Sequence, residues 1–308
     1  MDKLSAMKTF VRVVEAGSFS AVANEMESTQ SAISKQVAAL EKELRCKLLI
    51  RTTRSLALSE DGARYFEQVR RLVGEIAEAE SDLRKGERQL SGWLRVAVSV
   101  GFGRLKLMPM VKTFMEMNPE VKVDLRLSDG FIDLVEQGID ISVRIGNLPD
   151  SGLIARRVGT SKRTLLAHKN YFKTLSNGLE APLTPDDLAA HNCIIYSGLS
   201  APNLWNFTAG PGAREMQGTV KTVHVTGTIQ SNLSEVVRFS VINGMGIGYS
   251  PNWLFEAELA SGEVVPIMSN WLAPTSSIHL VSPPERKHSA KVKAFVEHVA
   301  KSMGTFVV

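Results

Sequence analysis

The stretch from Ser18 to Leu40 constrains the fold more than any other part of the chain, because it contains two amphipathic helical patterns around a tight turn. The apolar residues that share a face are Phe19, Val22, Ala23 and Met26 on the first pattern, and Ile33, Val37 and Leu40 on the second. Their spacing matches the period of an α-helix. A hydroxyl of Ser28 or Thr29 can accept the unpaired N–H groups that begin the second helix. The stretch therefore predicts a helix-turn-helix over about Phe19 to Ala38.

The outward face of the second helix carries hydrogen-bonding side chains of a length that reaches base edges and phosphates from the major groove. The candidate DNA contacts of the two helices are Ser20, Thr29, Gln30, Ser31, Ser34, Lys35 and Gln36. The alternative interpretation is an ordinary polar face on a pair of surface helices. A preceding stripe of Leu4, Met7, Phe10, Val11 and Val14 favours DNA binding, because three helices can then enclose a small core.

Two short apolar runs follow the helices and flank a polar turn at Thr52 and Thr53, which predicts a two-stranded wing ending at Leu58. Between residues 28 and 58, six basic residues outnumber two acidic ones, which suits a polyanionic partner. Arg51 and Arg54 bracket the turn, where a guanidinium can bind a phosphate or enter the minor groove. These two arginines and the two threonines complete the predicted DNA contacts.

These segments, in this order, resemble the amino-terminal domain of LysR-type transcriptional regulators. The family pattern has Gly-Ser-Phe, then a recognition helix Thr-Gln-Pro-Ala-Val-Ser-Arg-Gln-Ile-x-x-Leu-Glu, then Leu-Phe-x-Arg and Leu-Thr-x-x-Gly in the wing. The matching segments here are 17–19, 29–41, 48–51 and 58–62. The departures from the pattern are Ser31 for Pro, Lys35 for Arg, Arg45 for Gly and Leu49 for Phe. Since Lys35 is a point charge and not a planar fork, bidentate recognition of guanine is less favoured there.

The composition agrees with an intracellular regulator. A chain of 308 residues, with 44% hydrophobic and 22% charged residues, can form two or three domains with cores of their own. Its net charge of +4 is too small for a general polycation. There is no secretory signal and no run of apolar residues long enough to span a membrane, so a cytoplasmic location is expected. Cys46 and Cys193 are expected to be inert, reduced thiols.

From Ser59 the pattern predicts one long helix, with Glu60 and Asp61 favourably placed in its first turn. Its apolar seam alternates steps of three and four residues, as in two helices packed as a coiled coil. The predicted dimerisation residues are Phe66, Val69, Val73, Ile76 and Leu83. The alternative is a helix that packs on its own domain. A polar, glycine-bounded segment over 86–92 then predicts a hinge.

From Trp93 onward, short apolar strands alternate with helical stretches. Strands at 94–98, 121–127 and 139–145 alternate with a helix over 105–115 and a short helix over 131–137, which predicts a largely parallel, doubly wound sheet. A second set has strands at 164–167, 193–196 and 246–249 and a helix over 233–242. Strand 277–281 and helix 290–303 return to the first set. Two lobes crossed by two strands resemble a periplasmic solute-binding protein.

The chain is thus predicted to be α/β overall, with three parts. Residues 1–58 form a winged helix-turn-helix domain rich in α-helix, residues 59–91 the linker helix and hinge, and residues 92–308 a two-lobed effector-binding domain. Lobe 1 takes about 92–163 and 269–308, and lobe 2 takes about 164–268. The family resemblance implies the same architecture.

Ligands of such sheets bind beyond the carboxyl ends of the strands. The residues predicted there to bind an effector are Ser99, Gly101, Phe102, Ser128, Asp129, Arg144, Ser197, Ser231 and Asn232. Backbone N–H groups, hydroxyls and Arg144 favour a small polar or carboxylated ligand. The alternative is that the serines only cap helices and that Arg144 is a surface charge. Asp129 argues against a pocket for anions alone, and many relatives carry a hydroxyl at the position of Gly101.

Catalytic and metal-binding patterns are weak. The six histidines lie far apart without the spacing of metal ligands. The glycines over 244–248 follow a helix and enter a strand, which is the reverse of the order in a dinucleotide-binding loop. We therefore expect no catalytic residues, no metal and no cofactor.

The sequence predicts a transcription regulator that binds DNA and senses a metabolite. The expected partners are double-stranded DNA with an inverted repeat, a small-molecule effector, further copies of the chain as a dimer or tetramer, and RNA polymerase where the regulator activates. No membrane partner is expected. The alternatives are a ligand-independent or architectural DNA-binding protein and, against the DNA-binding domain, an enzyme of periplasmic-binding-like fold.

Overall fold

The computed structural model describes residues 2–51, 56–83, 90–174 and 179–304. It divides into two compact units, Met1–Arg88 and Gln89–Val308. Among the residues described, no helix is both long enough and apolar enough to cross a membrane.

Three helices build most of the amino-terminal unit: α1 (Lys3–Ala16), α2 (Phe19–Glu25) and α3 (Gln30–Leu44). Each begins at a capping side chain, of Asp2, Ser18 or Thr29, whose oxygen accepts a backbone N–H of the first turn. Thr29, and not Ser28, therefore starts the second helix of the predicted pair. Gly17 ends α1 at a φ of 65°, a left-handed conformation that lets the chain reverse at once into α2.

A hairpin and a long helix complete this unit: β1 (Leu49–Arg51), β2 (Leu56–Leu58) and α4 (Glu60–Leu83). The two strands are antiparallel, with Leu49 opposite Leu58. Ser59 joins the hairpin to α4, because its Oγ accepts from the N–H of Gly62 at 2.9 Å and its own N–H donates to the carbonyl of Leu48 at 3.0 Å. The predicted wing and linker helix are both formed.

One apolar core holds these elements together. Its fully buried members include Ala6, Phe10, Val13, Val22, Ile33, Val37, Leu40, Leu48 and Val69. The Phe10 ring lies 5.9 Å from that of Tyr65 and 6.3 Å from that of Phe66, so α1 is packed directly on α4. Burial of a large apolar side chain stabilises the fold by about 1.5–3 kcal/mol, and helices as short as α2 depend on it.

The second unit opens with the first part of lobe 1. Its elements are β3 (Gly92–Val98), α5 (Val100–Phe102), a π-helical turn (Gly103–Leu107), α6 (Met108–Met117), β4 (Val121–Leu127) and β5 (Ile141–Ile145). The short helix predicted over 131–137 is wrong. The Asp133 carboxylate accepts from the N–H groups of Val135 and Glu136 at 2.9 Å. Gly138, at a φ of 62°, then ends this segment after one turn, before a helix can propagate.

Strand β6 (Ile154–His168) leads into lobe 2. The elements that follow are β7 (Cys193–Tyr196), β8 (Leu204–Ala209), β9 (Val220–His224), β10 (Ile229–Ser231), α7 (Ser234–Ile242), β11 (Ile247–Pro251), α8 (Glu256–Ser261), β12 (Val264–Ile267) and β13 (Trp271–Leu272). The chain then returns to lobe 1 through β14 (Thr275–Ser282) and α9 (Ala290–Gly304).

A mixed sheet runs through both lobes in the order β10-β7-β11-β6-β14-β5-β3-β4, with β12 also paired to β6. Strands are parallel within each lobe, but β6 and β14 run antiparallel to their neighbours, so the expectation of a largely parallel sheet holds only inside each lobe. Residues 154–162 of β6 pair with β14, and residues 163–166 pair with β11. Strand β6 therefore crosses from one lobe to the other. The small sheet β13-β8-β9 was not predicted.

Candidate DNA-binding surface and effector cleft

Helix α3 presents a polar face away from the core. Ile33, Val37 and Leu40 are buried, whereas Gln30, Ser31 and Lys35 are exposed and Ser34 is half-buried. Ser20, on α2, is exposed as well. A rigid helix with short and long hydrogen-bonding side chains on its free face has the geometry of a recognition helix for the major groove.

Three of the predicted DNA contacts, Thr29, Ser31 and Gln36, form hydrogen bonds within the protein. The Thr29 Oγ1 accepts from the N–H of Ala32 at 3.2 Å and lies 3.1 Å from the hydroxyl of Ser31. The Oε1 of Gln36 accepts from the hydroxyl of the fully buried Thr9 at 2.7 Å. Gln36 thus orients α3 on α1, and its amide oxygen is already engaged in a hydrogen bond within the protein.

A buried carboxylate, which the sequence reasoning had counted only as a charge, joins the recognition helix to the wing. The Oε1 of Glu41 accepts from the backbone N–H groups of Leu48 and Leu49 at 2.9 and 3.1 Å, and its Oε2 accepts from Lys47 Nζ at 2.9 Å. Burial raises the pKa of Glu41, but the hydrogen bonds from Lys47, Leu49 and Leu48 outweigh it and hold that pKa below its usual range. The family pattern for the recognition helix ends with this Glu, and that match was the signal in the sequence that could have marked Glu41 as a structural residue.

Helix α3 ends in a conformation that normally favours glycine. Arg45 has φ 56° and ψ 29°, and its N–H donates to the carbonyl of Lys42 at 3.3 Å, while the N–H of Cys46 donates to that of Glu41 at 3.2 Å. This pair of bonds is a Schellman motif, in which a left-handed residue ends the helix. The family's Gly at this position is therefore explained by backbone geometry, and Arg45 adopts the same geometry at a cost in strain.

The wing turn lies outside the described residues. Of the four predicted contacts there, Thr52, Thr53 and Arg54 belong to that segment, and Arg51 is described only through its backbone at the end of β1. Their DNA contacts stay predictions.

The predicted dimerisation seam needs correction. Phe66 and Val69 are 9% and 1% exposed and belong to the core of their own unit, and Val73 packs partly against that core. The alternative of a helix packed on its own domain therefore holds for the first half of α4. Ile76 is half-buried, and the side chain of Leu83 lies outside the described residues.

A cleft of about 320 Å³ opens at the carboxyl ends of the strands, between the two lobes of the second unit. Four of the predicted effector-binding residues line it: Ser99, Ser128, Asp129 and Arg144. The volume is at the lower end of the usual range for small-molecule sites.

The other five predicted residues do not line this cleft. They are Gly101, Phe102, Ser197, Ser231 and Asn232. Phe102 is buried with its ring edge-on to Trp253 at 5.2 Å, and a Cβ on Gly101 would lie 2.9 Å from the side chain of Leu254, so both are packing positions. The hydroxyl of Ser231 accepts from the N–H of Leu233 at 3.1 Å. This local hydrogen bond agrees with the alternative interpretation, in which the serines have no ligand and only stabilise the start of a helix.

Asp129 connects the two lobes through the helix N-termini that face the cleft. Its Oδ1 accepts from the N–H of Val100 in α5 at 2.8 Å, and its Oδ2 accepts from the N–H of Ser234 in α7 at 2.7 Å. A carboxylate at the positive end of a helix dipole is favourable. The N–H groups that were expected to bind a ligand anion are thus bound by an anion of the chain itself.

Two arginines bring positive charge to the cleft. The guanidinium of Arg144 donates to the carbonyl of Ile132 at 3.1 Å and lies 5.2 Å from the centre of the Phe131 ring. Arg163, on the crossing strand β6, lies 5.9 Å from the centre of the Tyr249 ring. Burial lowers the pKa of both arginines, although a guanidinium stays protonated at any physiological pH.

Tyrosine and tryptophan side chains line the cleft beside these cations. Burial raises the pKa of Tyr196 and of Tyr249 to about 12, so both phenols keep their protons. Tyr249 donates to the carbonyl of Asn206 at 3.1 Å, and the Nε1 of Trp253 donates to the hydroxyl of Ser161 at 2.9 Å. Sequence reasoning missed Arg163 and these three aromatic residues, because nothing local marks which side of a strand faces a cleft.

The cysteines and histidines form no cluster suited to a metal ion among the residues searched. Cys193 is buried in lobe 2, and burial raises its pKa to about 12, which makes the thiolate inaccessible at neutral pH. Cys46, in the other unit, is half-buried.

Comparison with known proteins decides the family. The family model described as "Bacterial regulatory helix-turn-helix protein, lysR family" matches residues 4–63, and the one described as "LysR substrate binding domain" matches residues 87–304. The chain belongs to the LysR family of transcription regulators. Its function is therefore regulation of transcription through DNA, and not catalysis.

Relatives and solved structures of LysR-type regulators match over nearly the whole chain. The transcriptional regulator PtxR of Pseudomonas aeruginosa is 33% identical over 301 residues, which are 98% of this chain and 93% of that protein. The structure of CrgA from Neisseria meningitidis has a TM-score of 0.61 at 28% identity, covering 98% and 99% of the two chains. The full-length virulence activator AphB of Vibrio cholerae has a TM-score of 0.59 at 26% identity, covering 97% and 98%.

Proposed function

We propose that this LysR-type regulator binds specific operator sequences in the cytoplasm and that a small polar or carboxylated metabolite, bound in the cleft between the lobes, modulates its activity. The exposed face of α3 carries the first part of the proposal. Gln30 and Lys35 lie on that face without a hydrogen bond or ion pair to any other described residue, so both are free to contact DNA. Gln30 has the chemistry to read a base edge, and Lys35 to bind a base or a phosphate.

The test is fluorescence anisotropy of the full-length protein on its operator and on random DNA, across a series of salt concentrations. Gln30→Ala should weaken operator binding by about 1–3 kcal/mol while leaving binding to random DNA unchanged. The controls are Gln137→Ala and Lys293→Ala, which remove an exposed glutamine and an exposed lysine from the other unit. If Gln30→Ala and Lys35→Ala both bind the operator like the parent protein, α3 is not the recognition helix.

Self-association completes the proposal. Leu72, 44% exposed, and Ile76 lie one turn apart on α4, beyond the part that the unit's own core covers. We assign the dimer contact to this part of the helix, with Leu83 as its continuation, and a tetramer to contacts between effector domains. A two-fold dimer reads an inverted repeat, with its recognition helices about one turn of DNA or a multiple apart. Light scattering should give a dimer or tetramer at micromolar concentration, and a monomer would rule this assembly out.

RNA polymerase is the further partner that activation would require. A bacterial two-hybrid assay with the polymerase subunits tests this contact, and activation of the operator without any such contact would contradict it.

The ligand-independent alternative also has support. Besides Asp129, an ion pair of Arg104 with Glu235 at 2.9 Å and one of Lys106 with Glu256 join the lobes without any ligand. A thermal-shift screen of metabolites separates the two functions, because a ligand of the folded state stabilises it by RT ln(1 + [L]/Kd) and so raises the melting temperature further as its concentration increases. If no metabolite raises the melting temperature, and if regulation in cells is the same with and without added metabolites, the ligand-independent function is favoured.

A further inference from the structure

Among the described residues, neither arginine of the cleft forms an ion pair, but Arg144 donates to the carbonyl of Ile132 whereas Arg163 has no hydrogen-bond acceptor. Among the residues that the structure describes, none forms an ion pair or a hydrogen bond with the guanidinium of Arg163, whose neighbour is the ring of Tyr249. Arg163 lines the cleft, and it is the first residue of β6 that pairs with β11, directly after the last residue that pairs with β14. A partly buried charge without a partner is costly, which makes this position favourable for a ligand anion.

A phenol hydroxyl and several apolar side chains line the same cleft as this cation. The hydroxyl of Tyr196 lines the same cleft and, within the described part of the chain, has no hydrogen-bond partner. Arg163 on β6 and Tyr196 on β7 both line the cleft, from strands that are separated in the sheet by β11 alone. Trp253 and Leu254 contribute apolar walls, and Phe131, 80% exposed, stands at the cleft with Arg144 against its ring. A planar apolar group fits between such walls.

Asp129 determines where the ligand's anionic group cannot go. It already accepts from the N–H groups at the starts of α5 and α7, and its own negative charge repels a second carboxylate there. A single carboxylate, directed at Arg163, avoids that repulsion.

We propose that the effector of this regulator is a small aromatic monocarboxylate, whose carboxylate is bound by Arg163 and Tyr196 while its ring packs against Trp253 and under Phe131. This inference rests on the proposed function, since it names the class of ligand for the same cleft. It assigns Arg163 the role of anion receptor and Asp129 that of an internal anion at the helix N-termini.

The experiment is isothermal titration calorimetry on the full-length protein with pairs of matched probes. The pairs are benzoate with benzamide, phenylacetate with phenylacetamide and cinnamate with cinnamamide, and succinate and glucose serve as non-aromatic probes. We expect at least one aromatic carboxylate to bind, and its amide to bind at least about tenfold more weakly because the charge-assisted hydrogen bonds are lost. Succinate should bind more weakly than that carboxylate.

Variants then locate the receptor. Arg163→Met should weaken the carboxylate at least about tenfold and leave the amide unchanged, Arg163→Lys should recover part of the loss, and Tyr196→Phe should weaken it by a smaller factor. The matched control is Arg156→Met, an exposed arginine of the same strand that does not line the cleft, which should bind the carboxylate like the parent. Arg144→Met, at the other arginine of the cleft, tests whether the carboxylate is bound there instead. Arg163→Met should also fold, as judged by circular dichroism and an unchanged or raised melting temperature of the ligand-free protein, because no described ion pair is removed.

Three results would overturn the inference: no aromatic carboxylate binds, Arg163→Met binds it like the parent, or Arg144→Met and not Arg163→Met loses it. If succinate or glucose binds and binding is independent of Arg163, the ligand class is wrong while the proposed function stands. Failure of the proposed function is recognised separately: no metabolite of the thermal-shift screen binds, and regulation in cells is the same with and without added metabolites.

Discussion

Removal of the Glu41 carboxylate should loosen the wing from the recognition helix. In Glu41→Ala the N–H groups of Leu48 and Leu49, which belong to buried residues, lose their acceptor. An unsatisfied buried N–H costs about 1–3 kcal/mol, so the two together should destabilise this junction by about 2–6 kcal/mol, with the lower value if water enters. Glu41→Gln keeps an acceptor oxygen for both groups and loses mainly the contact with the exposed Lys47, which is worth about 1 kcal/mol or less.

Hydrogen exchange of the full-length protein, followed by mass spectrometry, measures the effect where it arises. Because 1.4 kcal/mol is a factor of ten, a loss of about 2 kcal/mol should accelerate exchange in the segment 47–51 by roughly 30-fold in Glu41→Ala. Glu41→Gln should change it by a factor of about five or less. A global melting temperature is less informative here, since a protein with several folded units does not unfold in one step.

The same carboxylate predicts a pH dependence. Its pKa is lower in the folded protein than in the unfolded chain, so its contribution is complete above the ordinary pKa of glutamate and is lost as the pH falls from there through the folded value. The protection factor of the wing, which is the intrinsic exchange rate at each pH divided by the observed rate, should therefore fall on acidification in the parent protein and much less in Glu41→Gln. If Glu41→Ala exchanges like the parent, or if Glu41→Gln is as damaging as Glu41→Ala, the carboxylate is not the acceptor that holds the wing.

Three further outcomes are expected. Arg45→Gly should stabilise the amino-terminal unit by roughly 1 kcal/mol, because the backbone of Arg45 is left-handed at the end of α3. Chemical denaturation monitored on this unit measures the change, and a less stable variant would show that contacts of the arginine side chain outweigh the backbone strain. Gly62→Ala should destabilise the same unit by about 2 kcal/mol or more, since the new Cβ would lie 1.9 Å from the carbonyl oxygen of Leu48, and a stability equal to the parent's would contradict the packing there. Iodoacetamide should label Cys46 in the folded protein but Cys193 only after denaturation, as peptide mass spectrometry would show; rapid labelling of native Cys193 would mean that its site opens.

Most of the elements of the fold could be predicted from local patterns. The helices around Phe10, Val22 and Ile33 follow from apolar spacing alone, because each buries one stripe against the same core. The short segment after Ser128 could not be read correctly, since its apolar spacing is helical but Asp133 and Gly138 limit it to one turn. The spacing of apolar residues shows which face of a helix would be buried. It does not show where the local hydrogen bonds end the helix.

The contents of the sites were less predictable, because they depend on contacts between distant parts of the chain. Gln36 matches a base-reading pattern, yet it binds Thr9, which lies 27 residues earlier. Phe66 follows a coiled-coil spacing that is equally suited to its own core. Arg163 could not be recognised as a cleft residue, since its surroundings come from strands β7 and β11, far along the sequence.

The return of the chain to lobe 1 has a consequence for synthesis on the ribosome. Strand β5 lies between β3 and β14 in the finished sheet, and β14 is made only after the whole of lobe 2. Until Thr275–Ser282 leaves the ribosome, β5 has one unpaired edge, carrying the apolar Ile141, Val143 and Ile145. An open apolar edge pairs readily with other chains. Nascent chains that stop before Thr275 should therefore aggregate through lobe 1, although they contain every strand that precedes β14.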